Sequence, residues 1–233
     1  LNETKNEFGL IRILIQFYTH MNIAIVAATE MELELLRNSF SDISHAITFR
    51  VHGVGIMQAT YHLQKLCLQK PDLIIQCGIA GTYTNSLTIG ESVVVYSEHL
   101  GDTGAEDHDT LLDLFDIKLL DKHSFPFTEG YLLNESVKHF SKLKAVNGLT
   151  VNMASGNEKT IRLRQEKFHA DIETMEGACL HYVCLQEHIP FMQFRGISNY
   201  VEPRDKNRWQ IADALQHCQQ EVITFIHQLP SSL

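Results

Sequence analysis

Residues 21–32 read Met-Asn-Ile-Ala-Ile-Val-Ala-Ala-Thr-Glu-Met-Glu. The unbroken run of β-branched and small apolar side chains over Ile23–Ala28 predicts a strand buried on both faces, as in a parallel sheet covered by helices. Glu32 follows closely, where ligands gather beyond the carboxyl ends of parallel strands. The plain alternative is an acid stabilising the first turn of a helix through the macrodipole.

Working outward, further strands are expected at Ile47–Val51, Leu73–Cys77, Ser92–Ser97, Leu149–Met153 and Phe191–Ile197. Helical spacing occupies Glu32–Asn38, Ile56–Gln69, Glu135–Leu143, Glu158–Phe168, Gly177–His188 and Trp209–Gln228, the last with Ile211, Leu215, Val222, Phe225 and Leu229 on one face. Strands alternating with helices predict an α/β fold, a central mixed but mainly parallel sheet flanked by helices. No repeat or Pro-rich linker divides residues 21–230, which read as a single domain. Residues 1–20 are expected to be an N-terminal extension outside the fold. The stretch from Glu98 to Gly130 shows no clear period and is a candidate functional loop.

Charge and cysteine content narrow the function. With 28 Asp+Glu against 19 Lys+Arg, the net charge is −9. That balance argues against wrapping a nucleic-acid backbone or docking on anionic lipid. Phe8–Tyr18 is too short to span a bilayer and is interrupted by Arg12. Cys67, Cys77, Cys179, Cys184 and Cys218 are odd in number and contain no CxxC, which predicts a reduced, cytoplasmic chain. The pair Gly53-Val-Gly55 lacks the third glycine of a dinucleotide fingerprint, Gln58 standing there. No P-loop lysine follows Gly78 or Gly81, and the 13 histidines show no metal-ligand spacing, so neither cofactor nor metal is expected.

Carboxylates and one arginine at strand ends remain. Glu176 lies in Asp171-Ile-Glu-Thr-Met-Glu-Gly-Ala178, where a β-like segment passes into a helix and Gly177 permits close approach. It can bind two neighbouring hydroxyls, or serve as a helix N-terminal acid. Arg195, in Arg195-Gly-Ile-Ser-Asn199, follows an apolar strand, so a carboxylate partner is expected for it.

Together, Met21–Glu32, Gly78-Ile-Ala-Gly81, Thr174-Met-Glu-Gly-Ala178 and Arg195–Asn199 resemble the purine nucleoside phosphorylase and methylthioadenosine nucleosidase superfamily, from about Met21 to Leu229. Within it, Gly101–Asp107, Phe125-Pro-Phe127, Val151–Gly156 and above all Ser198-Asn-Tyr-Val-Glu-Pro-Arg-Asp-Lys-Asn-Arg-Trp209 are similar to the futalosine hydrolase family. The resemblance implies a nucleoside phosphorylase-like fold, a homodimer, and hydrolysis of a purine N-glycosidic bond without metal or organic cofactor. It implies Glu32 as the base for water, Glu176 on the ribose hydroxyls beside Met175, Arg195 orienting Glu32 and water, and Asn199 on the base. It also implies a substrate-binding set of Gly78, Ile79, Ala80, Gly81, Lys159, Thr160, Thr174, Met175, Ser198 and Arg204. Lys159 stands near where a base-stacking residue is expected, and Ile79 where adenine nucleosidases place a small hydroxyl. The amide of Asn199, in place of their aspartate, offers two N–H donors to the N7 and O6 acceptors of a 6-oxopurine; a turn residue is the bland alternative. Hypoxanthine is therefore the expected leaving base. Arg204, Lys206 and Arg208 are candidates to hold a 5′ carboxylate, or are solvated charges before the last helix. Phe125 and Phe127 are expected to cover a 5′ aromatic group or to meet a second subunit.

Overall fold

The structure, a computed structural model, describes residues 20–137 and 142–230. The strands are β1 (Asn22–Ala27), β2 (Ala46–Val51), β3 (Leu73–Thr82), β4 (Ser92–Leu100), β5 (Gly104–Asp107), β6 (Thr110–Asp113), β7 (Leu132–Leu133), β8 (Lys144–Thr150), β9 (Ile172–Thr174) and β10 (Phe191–Tyr200). The helices are α1 (Ile56–Cys67), α2 (Glu158–Phe168), α3 (Gly177–Gln186) and α4 (Ile211–His227). Residues 1–19, nearly all of the expected extension, lie outside the described residues, as do residues 138–141 of the helix expected at Glu135–Leu143.

All strands but β5 and β6 form one sheet in the order β10-β4-β8-β9-β3-β1-β2, with β7 on β4, and β10 also pairs with β3. That extra pairing closes β3, β10, β4, β8 and β9 into a ring, from which β1 and β2 extend. Pairings β1–β2, β1–β3, β3–β10, β4–β8 and β8–β9 are parallel, while β4–β10, β3–β9 and β4–β7 are antiparallel. Side chains alternate across β1 as a strand requires. Ile23, Ile25 and Ala27 join Ile75, Phe194, Val222 and Phe225 in a core beneath α4. Ala24 and Val26 join Leu63, Ile74, Leu180 and Phe191 under α1 and α3.

Several expected boundaries shift, each for a local reason. Gly78–Gly81 is the extended end of β3 and not a loop, because β10 runs beside it in parallel register. Strand β10 likewise continues through Tyr200, so Asn199 is a strand residue next to a bulge rather than a turn residue. The strand expected at Leu149–Met153 is β8 at Lys144–Thr150; the amides of Asn152 and Met153 are drawn to Asp102 instead of a neighbouring strand. Glu32–Asn38 forms two 3₁₀ turns, since the Glu32 carboxylate folds back onto Thr29. The patternless Glu98–Gly130 stretch contains the end of β4 and the β5–β6 hairpin. Among the described residues no helix is long and apolar enough to cross a membrane.

Candidate active site

The parallel register of β3 and β10 builds the site. It sets Arg195 opposite Gly78 and Asn199 opposite Gly81. Neither glycine has a side chain to fill the space its neighbour needs. A methyl group built on Gly78 would meet Arg195 Nη1 at 2.6 Å and Glu32 Oε1 at 2.9 Å; one on Gly81 would meet Asn199 Nδ2 at 3.1 Å. The Glu32 carboxylate and the Arg195 guanidinium therefore converge on one small volume above Gly78, although one comes from the 3₁₀ turn after β1 and the other from β10.

Each is anchored away from that volume. Glu32 Oε2 accepts from the Thr29 amide at 2.8 Å and from the Thr29 hydroxyl at 2.9 Å, leaving Oε1 toward Gly78. Arg195, buried in β10, donates through Nη2 to Gln76 Oε1. The carboxylate partner expected for Arg195 is thus replaced by a neutral amide, and no carboxylate lies within ion-pair distance of it among the described residues. The Gln76 amide donates in turn to His52 Nε2 at 2.9 Å, whose Nδ1 faces Gly53 O at 2.8 Å. A carbonyl can only accept, so Nδ1 carries the hydrogen and Nε2 is the acceptor. Burial holds His52 down at about 4, keeping the ring neutral. This chain fixes the guanidinium plane without neutralising its charge.

Burying His52 neutral has a consequence for stability. Its folded-state value lies below the unfolded 6.5, so the unfolded chain binds the proton first as pH falls. The stability present above pH 6.5 is lost as pH drops toward about 4, a shift worth about 3 kcal/mol. Denaturant unfolding of the wild type and His52→Asn at pH 6.5 and 4.5 should give a smaller loss in the variant; equal losses would remove His52 from this role.

Glu176 stands between β9 and α3, at the position before the first residue of the helix, and its side chain does not cap it. Its Oε1 accepts from the Gly55 amide at 2.8 Å, and its other oxygen has no protein hydrogen bond among the described residues. Burial raises its pKa against the Gly55 hydrogen bond, with smaller opposing influences from Arg195 and Glu32. Glu32, Arg195 and Glu176 thus form one electrostatic group. Met175 precedes Glu176 and is partly exposed, while Thr174 is buried behind it. Asn199 donates one N–H to Tyr200 O at 2.9 Å and accepts from the Ser198 hydroxyl at 2.7 Å. One amide N–H remains, so the expected pair of donors is available only if the side chain turns.

Other expected residues fall outside this group. Lys159 is exposed on the first turn of α2 and pairs with Asp109 of the β5–β6 hairpin at 2.7 Å. Thr160 lies on the same turn, its amide capped by Asn157. Arg204 is exposed, its guanidinium 5.1 Å over the Trp209 ring, and its amide reaches Gly156 O at 3.4 Å. Arg208 is paired with Glu202 at 2.8 Å. Phe125 stacks on His188 beyond the far end of α3, and Phe127 packs on Phe115 and Tyr182, so within one chain neither reaches Glu176. A cavity of about 390 Å³ lined by Cys67, Pro71, His188 and Pro190 lies at the opposite ends of the strands and shares no residue with the cluster.

Sequence reasoning missed Thr29, His52, Gln76 and Gly55, which orient the charged groups. The polar Gln76 inside Leu73-Ile-Ile-Gln-Cys77 was the available signal, since a buried strand position keeps an amide only when it is hydrogen-bonded.

A family profile described as the phosphorylase superfamily matches residues 22–229. A futalosine hydrolase of Thermus thermophilus is 28% identical over 167 residues, covering 70% of this chain and 73% of that protein. Among solved structures, a futalosine hydrolase of Helicobacter pylori superposes with a TM-score of 0.76 at 16% identity, covering 90% of this chain and 98% of that one. An S-adenosylhomocysteine nucleosidase of Streptococcus pyogenes gives 0.75 at 21% identity, over 92% and 99%.

Proposed function

Because this chain belongs to the phosphorylase superfamily, we propose that it is a hydrolase that cleaves the N-glycosidic bond of futalosine, releasing hypoxanthine and dehypoxanthine futalosine in menaquinone biosynthesis. The observation that carries the hydrolytic reading is the convergence of Glu32 Oε1 and Arg195 Nη1 on the volume above Gly78, with Glu176 beside them. As the C1′–N9 bond breaks through an oxocarbenium-like ribosyl cation, the water oxygen bonds to C1′ and Glu32 takes its proton. Glu176 holds the ribose hydroxyls through its free oxygen. Arg195 orients water against Glu32. The bond electrons pass to the base, where Asn199 donates to N7 or O6; an amide has no proton to give, so the base is protonated through solvent. Residues 28–32 and 78–81 contain no basic side chain to cradle phosphate, which favours water as the nucleophile.

Asn199 supports a 6-oxopurine, since both acceptors on that edge call for N–H donors. A second reading, a methylthioadenosine or S-adenosylhomocysteine nucleosidase, is favoured by the single amide N–H left free beside Tyr200. The two separate in phosphate-free buffer with futalosine, aminodeoxyfutalosine, methylthioadenosine and inosine, quantifying each free base. Hypoxanthine from futalosine should dominate, and Asn199→Asp should shift release toward adenine by about 10²-fold or more. Adenine release by the wild type would support the second reading; dependence on phosphate would overturn hydrolysis. The five free, buried cysteines are consistent with a reduced cytoplasmic setting, and a homodimer is proposed by family likeness.

A further inference from the structure

Glu98, in the middle of the ring of strands, has no accessible surface. Two glycines make room for it: a methyl group on Gly177 would lie 1.8 Å from its Oε1, and one on Gly148 2.5 Å from the same atom. Thr150 donates to its Oε2 at 2.8 Å while accepting from the Ala178 amide at 2.7 Å. Thr174 donates to Oε1 at 3.2 Å while accepting from the Gly177 amide at 3.3 Å. The first two amides of α3, directly after Glu176, are thus tied through two hydroxyls to Glu98.

The far side of this cluster does not balance. Gln193 Nε2 donates to Glu98 Oε1 at 2.8 Å, which leaves Gln193 Oε1 buried without a hydrogen-bond partner among the described residues. The amide lies beside the His181 ring, whose Nδ1 is 2.9 Å from Leu132 O and so carries the hydrogen. His181 Nε2 is then a second buried acceptor without a hydrogen-bond partner among the described residues. Exchanging the amide oxygen and nitrogen, which have nearly the same shape, lets Gln193 donate to His181 Nε2. Its oxygen then faces Glu98, and only a hydrogen on Glu98 can satisfy it.

We propose that Glu98 is a protonated acid that donates to Gln193, with Gln193 donating to His181, and that this neutral chain is a positioning device for Glu176. The kinetic side of this proposal rests on the nucleosidase reading; the protonation does not. Burial pushes Glu98 up to about 7 despite the nearby Arg195, and His181 down to about 4, which leaves the proton on the acid. The charged or titratable groups facing it are Arg195 from β10 and Cys179 and His181 from α3; β8 and β9 contribute hydroxyls. With a folded-state value above the unfolded one, the protonated form stabilises the fold at low pH, and that contribution is lost as pH rises toward about 7. Ionisation there also returns both buried acceptors to an unpaired state, and the charged carboxylate pulls harder on the Thr150 and Thr174 hydroxyls that hold the start of α3, shifting Glu176 from its place.

The test compares the wild type with Glu98→Gln, whose amide supplies a permanent N–H where the acid carries its proton. At pH 6 the infrared difference spectrum should show the carbonyl stretch of a protonated carboxyl, fading as pH rises through 7. The nucleoside KM of the wild type should rise severalfold from pH 6 to 8.5, and that of the variant should stay level. Absence of the band, or the same KM rise in both proteins, overturns the proposal. Should Glu98→Gln not fold, glutamate labelled with ¹³C at the carboxyl reports in a Glu176→Gln background. One resonance titrating near pH 7 supports the proposal, and titration of all of them below pH 5.5 overturns it.

Discussion

Glu32→Gln should lower kcat by about 10³-fold while leaving KM within a few-fold, in line with the 10²–10⁴ that a positioned general base contributes. The size follows from how the side chain is held. Thr29 supplies two donors to Oε2, so the variant's carbonyl oxygen settles there and its NH₂ group takes the place of Oε1 above Gly78. Water would then meet a donor where it needs an acceptor, with a second donor, Arg195 Nη1, beside it. The base is lost and the nucleophile is turned the wrong way, whereas the contacts of Glu176 and Asn199 persist. Thermal unfolding should be unchanged within a degree or two, because both Thr29 donors remain satisfied. Thr29→Ala gives the graded control: the carboxylate survives but is free to rotate, and a loss of about tenfold is expected. Steady-state kinetics of the three proteins on one nucleoside decides the matter. Turnover of Glu32→Gln within tenfold of the wild type would remove Glu32 from the role of base.

The strands that read most clearly in the sequence are those whose neighbours are all apolar. Ile23–Ala28 could be read as a doubly covered strand because both of its faces meet helices. Gly78-Ile-Ala-Gly81 and Ser198-Asn199, beyond the strands expected at Leu73–Cys77 and Phe191–Ile197, have the composition of loops, yet both are extended. Their hydrogen bonds come from each other, and that pairing is invisible until β3 and β10 are laid side by side. The same pairing explains why Glu32, Glu176 and Arg195 could be singled out while their supports could not. A carboxylate at a strand end is visible as a type and a position, but the His52–Gln76–Arg195 chain joins residues on or just beyond three strands. Strand β8 was misplaced because Val151–Met153 is as apolar as Lys144–Thr150, and Asp102, fifty residues away from Asn152, decides which segment leaves the sheet. The ion pair of Lys159 with Asp109 is not legible in the sequence, because Asp109 lies in a hairpin within a stretch that shows no clear period.

Gly78→Ala should remove about 10²-fold of kcat/KM without unfolding the protein. Gly78 has no left-handed backbone angle, so alanine is conformationally acceptable there. The added methyl would stand 2.6 Å from Arg195 Nη1 and 2.9 Å from Glu32 Oε1, closer than either contact allows. Both obstructing atoms are the far ends of side chains, so they yield before the backbone does and the stability loss stays small. Neither yields freely, since Arg195 is held through Gln76 to His52 and Glu32 is held by Thr29. The two groups are pushed off by about 1 Å, and a displacement of that size at the reacting centre costs about 10²-fold. Gly196, on β10 beside Ile79, supplies the contrast. A methyl there meets the backbone oxygen of Ala214 in α4 at 2.1 Å, so Gly196→Ala must move a helix against its sheet. Gly196→Ala should therefore lose thermal stability and activity together, and Gly78→Ala activity alone. If Gly78→Ala retained full activity, the volume above Gly78 could not be where water is activated; if it unfolded, the two side chains would be more rigidly braced than their anchors imply.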